Sequence, residues 1–207
     1  TEKSIEITGT LPEGASVAYT DNTRTNVGSQ EATATITGSN FTTLVLTADL
    51  TITPADITGI TFDDASFVFD RTEKSIEIAG TLPAGTSVAY ADNTRTNVGT
   101  QEATATITGS NFTTFVLTAD LTITPATLEV SPNPNQNRIY GEPDPILTFS
   151  ATGFASGDDE GVLTGSIVRV VGENVGSYAI QQGSLDAGAN YTINFTPSDF
   201  QISPANL

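Results

Sequence analysis

Glu102-Ala103-Thr104-Ala105-Thr106-Ile107-Thr108 is the stretch that decides the fold. Successive side chains of an extended chain point to opposite sides, so Ala103, Ala105 and Ile107 share one face and the three threonines the other. Val116–Thr124 reads the same way. Leu117, Ala119, Leu121 and Ile123 lie opposite Thr118, Asp120, Thr122 and Thr124. Ile76 and Ile78 alternate around Glu77, and Tyr191, Ile193 and Phe195 keep the same period. Thr and Val favour the pleated backbone because branching at Cβ restricts χ1. One apolar and one polar face per strand is the pattern of antiparallel sheets packed on one side. Between these runs stand Leu82-Pro83-Ala84-Gly85, Asp92-Asn93 and Gly109-Ser110-Asn111, where Pro presets φ while Gly and Asn accept positive φ. No long segment carries a helical period, and only a short turn is expected, near Asp158–Leu163. The expected fold class is all-β, made of tandem small antiparallel β domains that are sandwich-like and arranged end to end. A helix-poor β-grasp-like arrangement is the alternative.

The decisive stretch occurs twice. Thr1–Ala55 realigns on Thr72–Ala126 at a constant offset of 71 residues, with 49 identities in 55 positions. Only Thr8/Ala79, Glu13/Ala84, Ala15/Thr86, Thr20/Ala91, Ser29/Thr100 and Leu44/Phe115 differ. The last third keeps the punctuation. Asn26-Val27-Gly28 and Asn97-Val98-Gly99 return as Asn174-Val175-Gly176, and Asn40-Phe41-Thr42 and Asn111-Phe112-Thr113 return as Asn190-Tyr191-Thr192. Each repeat closes on an apolar-x-Ile-Thr/Ser-Pro-Ala phrase, ending at Ala55, Ala126 and Ala205. The third repeat spans 79 residues against 71, and the extra eight are expected mainly around Gly157–Gly161. Three domains follow: 1–55, which lacks opening strands, 56–126, which is complete, and 127–207. The missing opening corresponds to Asp56–Arg71, with Phe67 and Phe69 on one face of its second β run. Thr1 falls inside a repeat, so the chain is expected to be a piece of a longer protein.

Composition narrows the chemistry. Of 207 residues, 24 are acidic and 7 basic, a net charge of −17, and Cys, Met, Trp and His are absent. That field repels nucleic acid and anionic lipid and attracts divalent cations. No thiolate or imidazole is on hand for nucleophilic or general-base work, which leaves carboxylates alone. No apolar run approaches the roughly 20 residues that span a bilayer. Near-identical duplication is the habit of long surface arrays, not of enzymes.

Tyr140-Gly141-Glu142-Pro143-Asp144-Pro145, followed by Gly172-Glu173-Asn174-Val175-Gly176-Ser177-Tyr178 and Ala189-Asn190-Tyr191-Thr192-Ile193, resembles the MBG domain of the YGX type. Phe69–Ala126 is similar to the related MBG and YDG modules, although Arg71 stands where their pattern has Gly. The resemblance implies large secreted or surface-attached bacterial proteins, including adhesins, with no catalytic residues and an extracellular location. It implies a structural stalk or spacer whose partners are neighbouring repeats of the same long chain. A cell-surface or glycan receptor would be met through other domains, with no nucleic acid and no membrane insertion. A ligand-binding adhesive module is the other reading.

The candidate metal ligands are Asp158, Asp159 and Glu160, in Gly157–Gly161, where calcium would find carboxylate oxygens. No other cofactor is expected. Exposed loop is the competing account, because the cluster lacks the alternating spacing of a dedicated calcium loop. Asn40, Asn111, Asn190 and Asn194 each satisfy Asn-x-Thr, and their fixed places read as turn residues entering a strand, not as glycan acceptors. Lys3 and Lys74 sit in hydrophilic Thr-Glu-Lys-Ser, which argues against an isopeptide cross-link.

Overall fold

A computed structural model describes residues 1–206. They form strands throughout, and the only helical element among them is a single 3-10 turn at Glu160–Val162, where the sequence places a short turn. The all-β expectation holds. The chain divides into two compact units. One comprises Thr1–Phe62, Ile78–Ala91 and Thr104–Thr118, and the other Asp63–Glu77, Asp92–Ala103 and the chain from Ala119 onward.

In the first unit, Ala15–Thr20, Gly28–Gly38 and Phe41–Ile52 make an antiparallel sheet with Gly28–Gly38 in the middle. Ala15–Thr20 and Gly28–Gly38 follow the period of two, with Ala32 and Ala34 buried, whereas Phe41–Ile52 is exposed along most of its length and buries Leu50. Thr86–Ala91 pairs antiparallel with Thr104–Gly109. Ile57, Ile60 and Ile107 form a separate buried cluster, with Ile78, Val88 and Leu117 packed on it.

The second unit contains a two-layer sandwich. Phe149–Thr152, Ala126–Pro132 and Tyr191–Phe195 form one sheet. Asn137–Ile139, Ser198–Ser203, Gly176–Gln181 and Val168–Arg169 form the other. Ala126–Pro132 alternates strictly between buried and exposed, so Leu128 and Val130 point inward while Glu129 stays in water. They meet Ile180, Phe200 and Ile202 from the facing sheet in one core. Fully burying a side chain such as Phe200 contributes roughly 2 kcal/mol.

Not every pairing is antiparallel. Ala126–Val130 runs parallel to Tyr191–Phe195, Asn137–Ile139 parallel to Gln201–Ser203, and Leu121–Thr124 parallel to Ala65–Val68. Alternation along a strand reports its two faces but carries no sign of its partner's direction. The parallel pairs also show that the second and third repeats share a strand order. In each, an opening strand lies parallel to the closing strand, at Ala65–Val68 and at Asn137–Ile139. The strand after the Asn-Val-Gly turn then flanks the closing strand: Thr100 bonds Thr122 across the pair at 2.9 Å, and Ser177 faces Gln201.

Candidate functional site

The Asn-Val-Gly turns are held from within. In the first repeat Arg24 donates from Nε to Asn26 O at 2.8 Å, from Nη2 to Val27 O at 2.9 Å and from Nη1 to Gln30 Oε1 at 3.0 Å. Arg95 makes the same three bonds to Asn97, Val98 and Gln101, at 2.8, 2.9 and 3.0 Å. Glycine is required at the turn's third place. Gly28 and Gly99 have φ of +128° and +133°, and a Cβ there would meet an arginine Nη2 at 2.2 or 2.3 Å. In the third repeat Tyr178 takes over, its hydroxyl donating to Asn174 O at 2.7 Å.

Each of the two arginine-braced turns is also gripped by the following repeat. Val27 N–H donates to Asn111 Oδ1 at 2.9 Å, and Asn111 Nδ2 donates to Asn26 Oδ1 at 3.1 Å. Val98 N–H donates to Asn190 Oδ1 at 3.0 Å, and Asn190 Nδ2 donates to Asn97 Oδ1 at 3.2 Å. The main chain of the same asparagines joins in, since Ala55 N–H donates to Asn111 O at 3.0 Å and Ala126 N–H to Asn190 O at 3.1 Å. One residue thus ties both the turn and the Pro-Ala close of the repeat before it. The Val-to-Asn separations are 84 and 92 residues, so the grip persists across the eight extra residues of the third repeat. Sequence reasoning reads these asparagines as local turn residues. Their fixed spacing was the available signal, but it does not disclose that the amide reaches another repeat.

The signature residues of the third repeat build a second polar assembly. Arg138 and Arg169 are almost wholly buried, at 3% and 7% side-chain exposure. Asp144 accepts from Arg169 Nε at 2.7 Å and Nη2 at 3.0 Å and lies 2.7 Å from Arg138 Nε. Glu173 pairs with Arg138 Nη2. Arg169 also stacks over the rings of Tyr178 and Phe200, 5.3 and 5.2 Å from their centroids. The Arg169 hydrogen bonds hold the Asp144 carboxyl below its ordinary range, and Asp144 in turn raises Arg169. Asp144, Glu173 and Tyr178 all belong to the quoted motifs.

The three acidic candidates do not converge. Asp158 pairs through Oδ1 with Arg71 at 2.8 Å and accepts from the Tyr191 hydroxyl through Oδ2 at 2.5 Å. Burial first, and then that hydrogen bond, raises the Tyr191 phenol above its ordinary value. Asp159 caps the 3-10 turn by accepting from Gly161 N–H at 2.8 Å, and Glu160 is exposed within that turn. Among the described residues no cluster of three or more acidic side chains is arranged to hold a metal ion. Equal millimolar Ca²⁺ and Mg²⁺ should therefore shift Tm by the same small amount through screening. Asp159→Asn should leave both shifts unchanged, and a calcium-selective rise that this substitution removes would contradict that. Arg71 adopts φ of +67°, the left-handed region where glycine is at ease, so the turn keeps the glycine conformation while its side chain reaches Asp158.

The fold and joints define a tandem all-β module whose polar devices connect and brace repeats. Residues 121–201 match the family model of the MBG domain (YGX type), as the motifs of the third repeat lead one to expect. The match is consistent with a module of a surface adhesin. No curated protein matches the chain in sequence. Solved structures sharing part of its trace include a variant of titin domains I67–I69, 10% identical, at 99% coverage of this chain and 87% of that one, TM-score 0.34. A SusE-like surface-located polysaccharide-binding protein of Bacteroides thetaiotaomicron is 8% identical, at 92% coverage of this chain and 55% of that one, TM-score 0.28. No helix among the described residues is long and apolar enough to cross a membrane.

Proposed function

We propose that the chain is a non-catalytic spacer, a set of stalk repeats in a large extracellular protein of a bacterial cell surface. Its partners are neighbouring repeats of the same chain, and any cell-surface or glycan receptor is met by other domains. The observation that carries this reading is the repeated asparagine grip, made once by Asn111 and again by Asn190. A spacer needs joints that resist swinging, and the grip adds two side-chain hydrogen bonds and one main-chain bond at each joint. Each hydrogen bond is worth about 1 kcal/mol net, and a stranded N–H costs more.

Asn111→Ala and Asn190→Ala should each destabilise the chain by about 1.5 kcal/mol and speed hydrogen exchange at the Val27 or Val98 amide, respectively. The isolated chain should bind nothing on a glycan array. Saturable glycan binding, removed by substitutions in the cleft lined by Phe69, Asp158 and Tyr191, would replace the spacer reading with an adhesive one.

A further inference from the structure

The first and second repeats differ at six of 55 positions, yet their apolar faces meet different surroundings. Ile107 is fully buried, while its counterpart Ile36 is only partly covered. Ala119 is buried and Ala48 exposed. Leu117 is half-buried, whereas Leu46 is 43% exposed. The open side of the first repeat is a groove of about 380 Å³, lined by Ile5, Ile7, Tyr19, Ala34 and Leu46 among others. The lining residues do not account for the contrast, because they are the same in both copies apart from Thr8 and Ala79.

What differs is an occupant. In the second repeat, Phe62 packs its ring 6.0 Å from that of Tyr90, the counterpart of Tyr19. Thr61 exchanges two main-chain hydrogen bonds, of 3.0 and 2.8 Å, with Ala79, the counterpart of Thr8. Ile57 and Ile60 complete the cluster around Ile107. Farther along, Ala65–Val68 adds a parallel strand to Leu121–Thr124. In the first repeat the matching strand, Phe41–Ile52, stands at the edge of its sheet. An open edge beside an apolar groove is the geometry in which an extended peptide adds as a strand, with main-chain bonds supplying affinity and alternate side chains supplying specificity.

We propose that this groove is a strand-acceptor site whose ligand is an extended segment of the Asp56–Arg71 type, one not already engaged by a repeat of its own. Ile60 and Phe62 are the anchor positions, and the second half of the segment lies along the edge of Phe41–Ile52. A second copy of the chain is the poorer occupant, since donating its Asp56–Arg71 would empty its own second repeat and gain nothing. The segment carries four acids and one arginine, and the chain is itself strongly acidic. Attraction therefore comes from apolar burial and backbone pairing, so added salt strengthens it by screening repulsion.

The proposal rests on the tandem-repeat reading above, but its test is separate from that of the asparagine grip. A synthetic peptide of residues 56–71 is titrated into the full chain and followed by calorimetry and hydrogen exchange. The expected result is one saturable site, a raised Tm, slower exchange along Thr47–Ile52 and tighter binding at higher salt. Replacing Ile60 and Phe62 of the peptide by Asp should weaken binding at least tenfold. Leu46→Asp in the chain should do the same. Because Leu46 is partly solvated, unchanged exchange in Ala15–Thr20 will show that this variant is still folded. No saturation at millimolar peptide, equal binding of a scrambled peptide, or a peptide-resistant dimer by light scattering would each overturn the proposal.

Discussion

Ile107→Ala is expected to destabilise the chain by about 3 kcal/mol, while the identical change at its twin, Ile36→Ala, should cost less than about 1 kcal/mol. The two isoleucines sit in the same local sequence, on the same face of corresponding strands, Gly99–Gly109 and Gly28–Gly38. Removing three carbons from Ile107 leaves a cavity among Ile57, Ile60 and their neighbours, and that lining can collapse only partly. Ile36 is itself only partly covered, so truncation forfeits less burial and opens no closed void. Because the chain has two compact units, hydrogen exchange resolved by segment is the right measurement, with urea denaturation giving the sum. Equal losses at the two positions would mean that the first repeat is as well covered as the second.

Asp144→Asn should cost about 2 kcal/mol at neutral pH and flatten the acid side of the stability profile. Its carboxylate is the shared partner of two buried guanidinium groups, and without it Arg138 keeps Glu173 while Arg169 keeps mainly backbone carbonyls. Breaking a fully buried pair costs about 3–5 kcal/mol, and the lower figure here reflects the 40% exposure of the Asp144 side chain. The pH dependence follows from the direction of its shift. The folded-state pKa lies below the unfolded value, so its contribution is complete above about pH 4. It is lost as pH falls through the lower folded value. The Asn variant should lack that acid-side decline and otherwise parallel the parent in a series of urea melts. Identical slopes for the two proteins would show that Asp144 does not titrate differently on folding.

The sequence by itself determined the strands, their inward faces and the repeat pattern, because these rest on local rules. Alternation of Ala103, Ala105 and Ile107 with threonine reports a pleated strand whatever lies beside it. Duplication at a constant offset reports a repeated structure, and the Tyr-Gly-Glu-Pro-Asp-Pro motif marks the third repeat. Only the tertiary structure decided which side chains meet across long separations. Nothing local to Asn190 says that its amide grips Val98, nor anything around Asp158 that its oxygens are taken by Arg71 and Tyr191. Acidic residues adjacent in sequence suggested a shared ion, but in the fold one faces a cation and another caps a turn. The twin repeats make the distinction sharpest. Nearly identical strands acquire a buried face in one copy and an open groove in the other, because burial is a property of what packs against a strand.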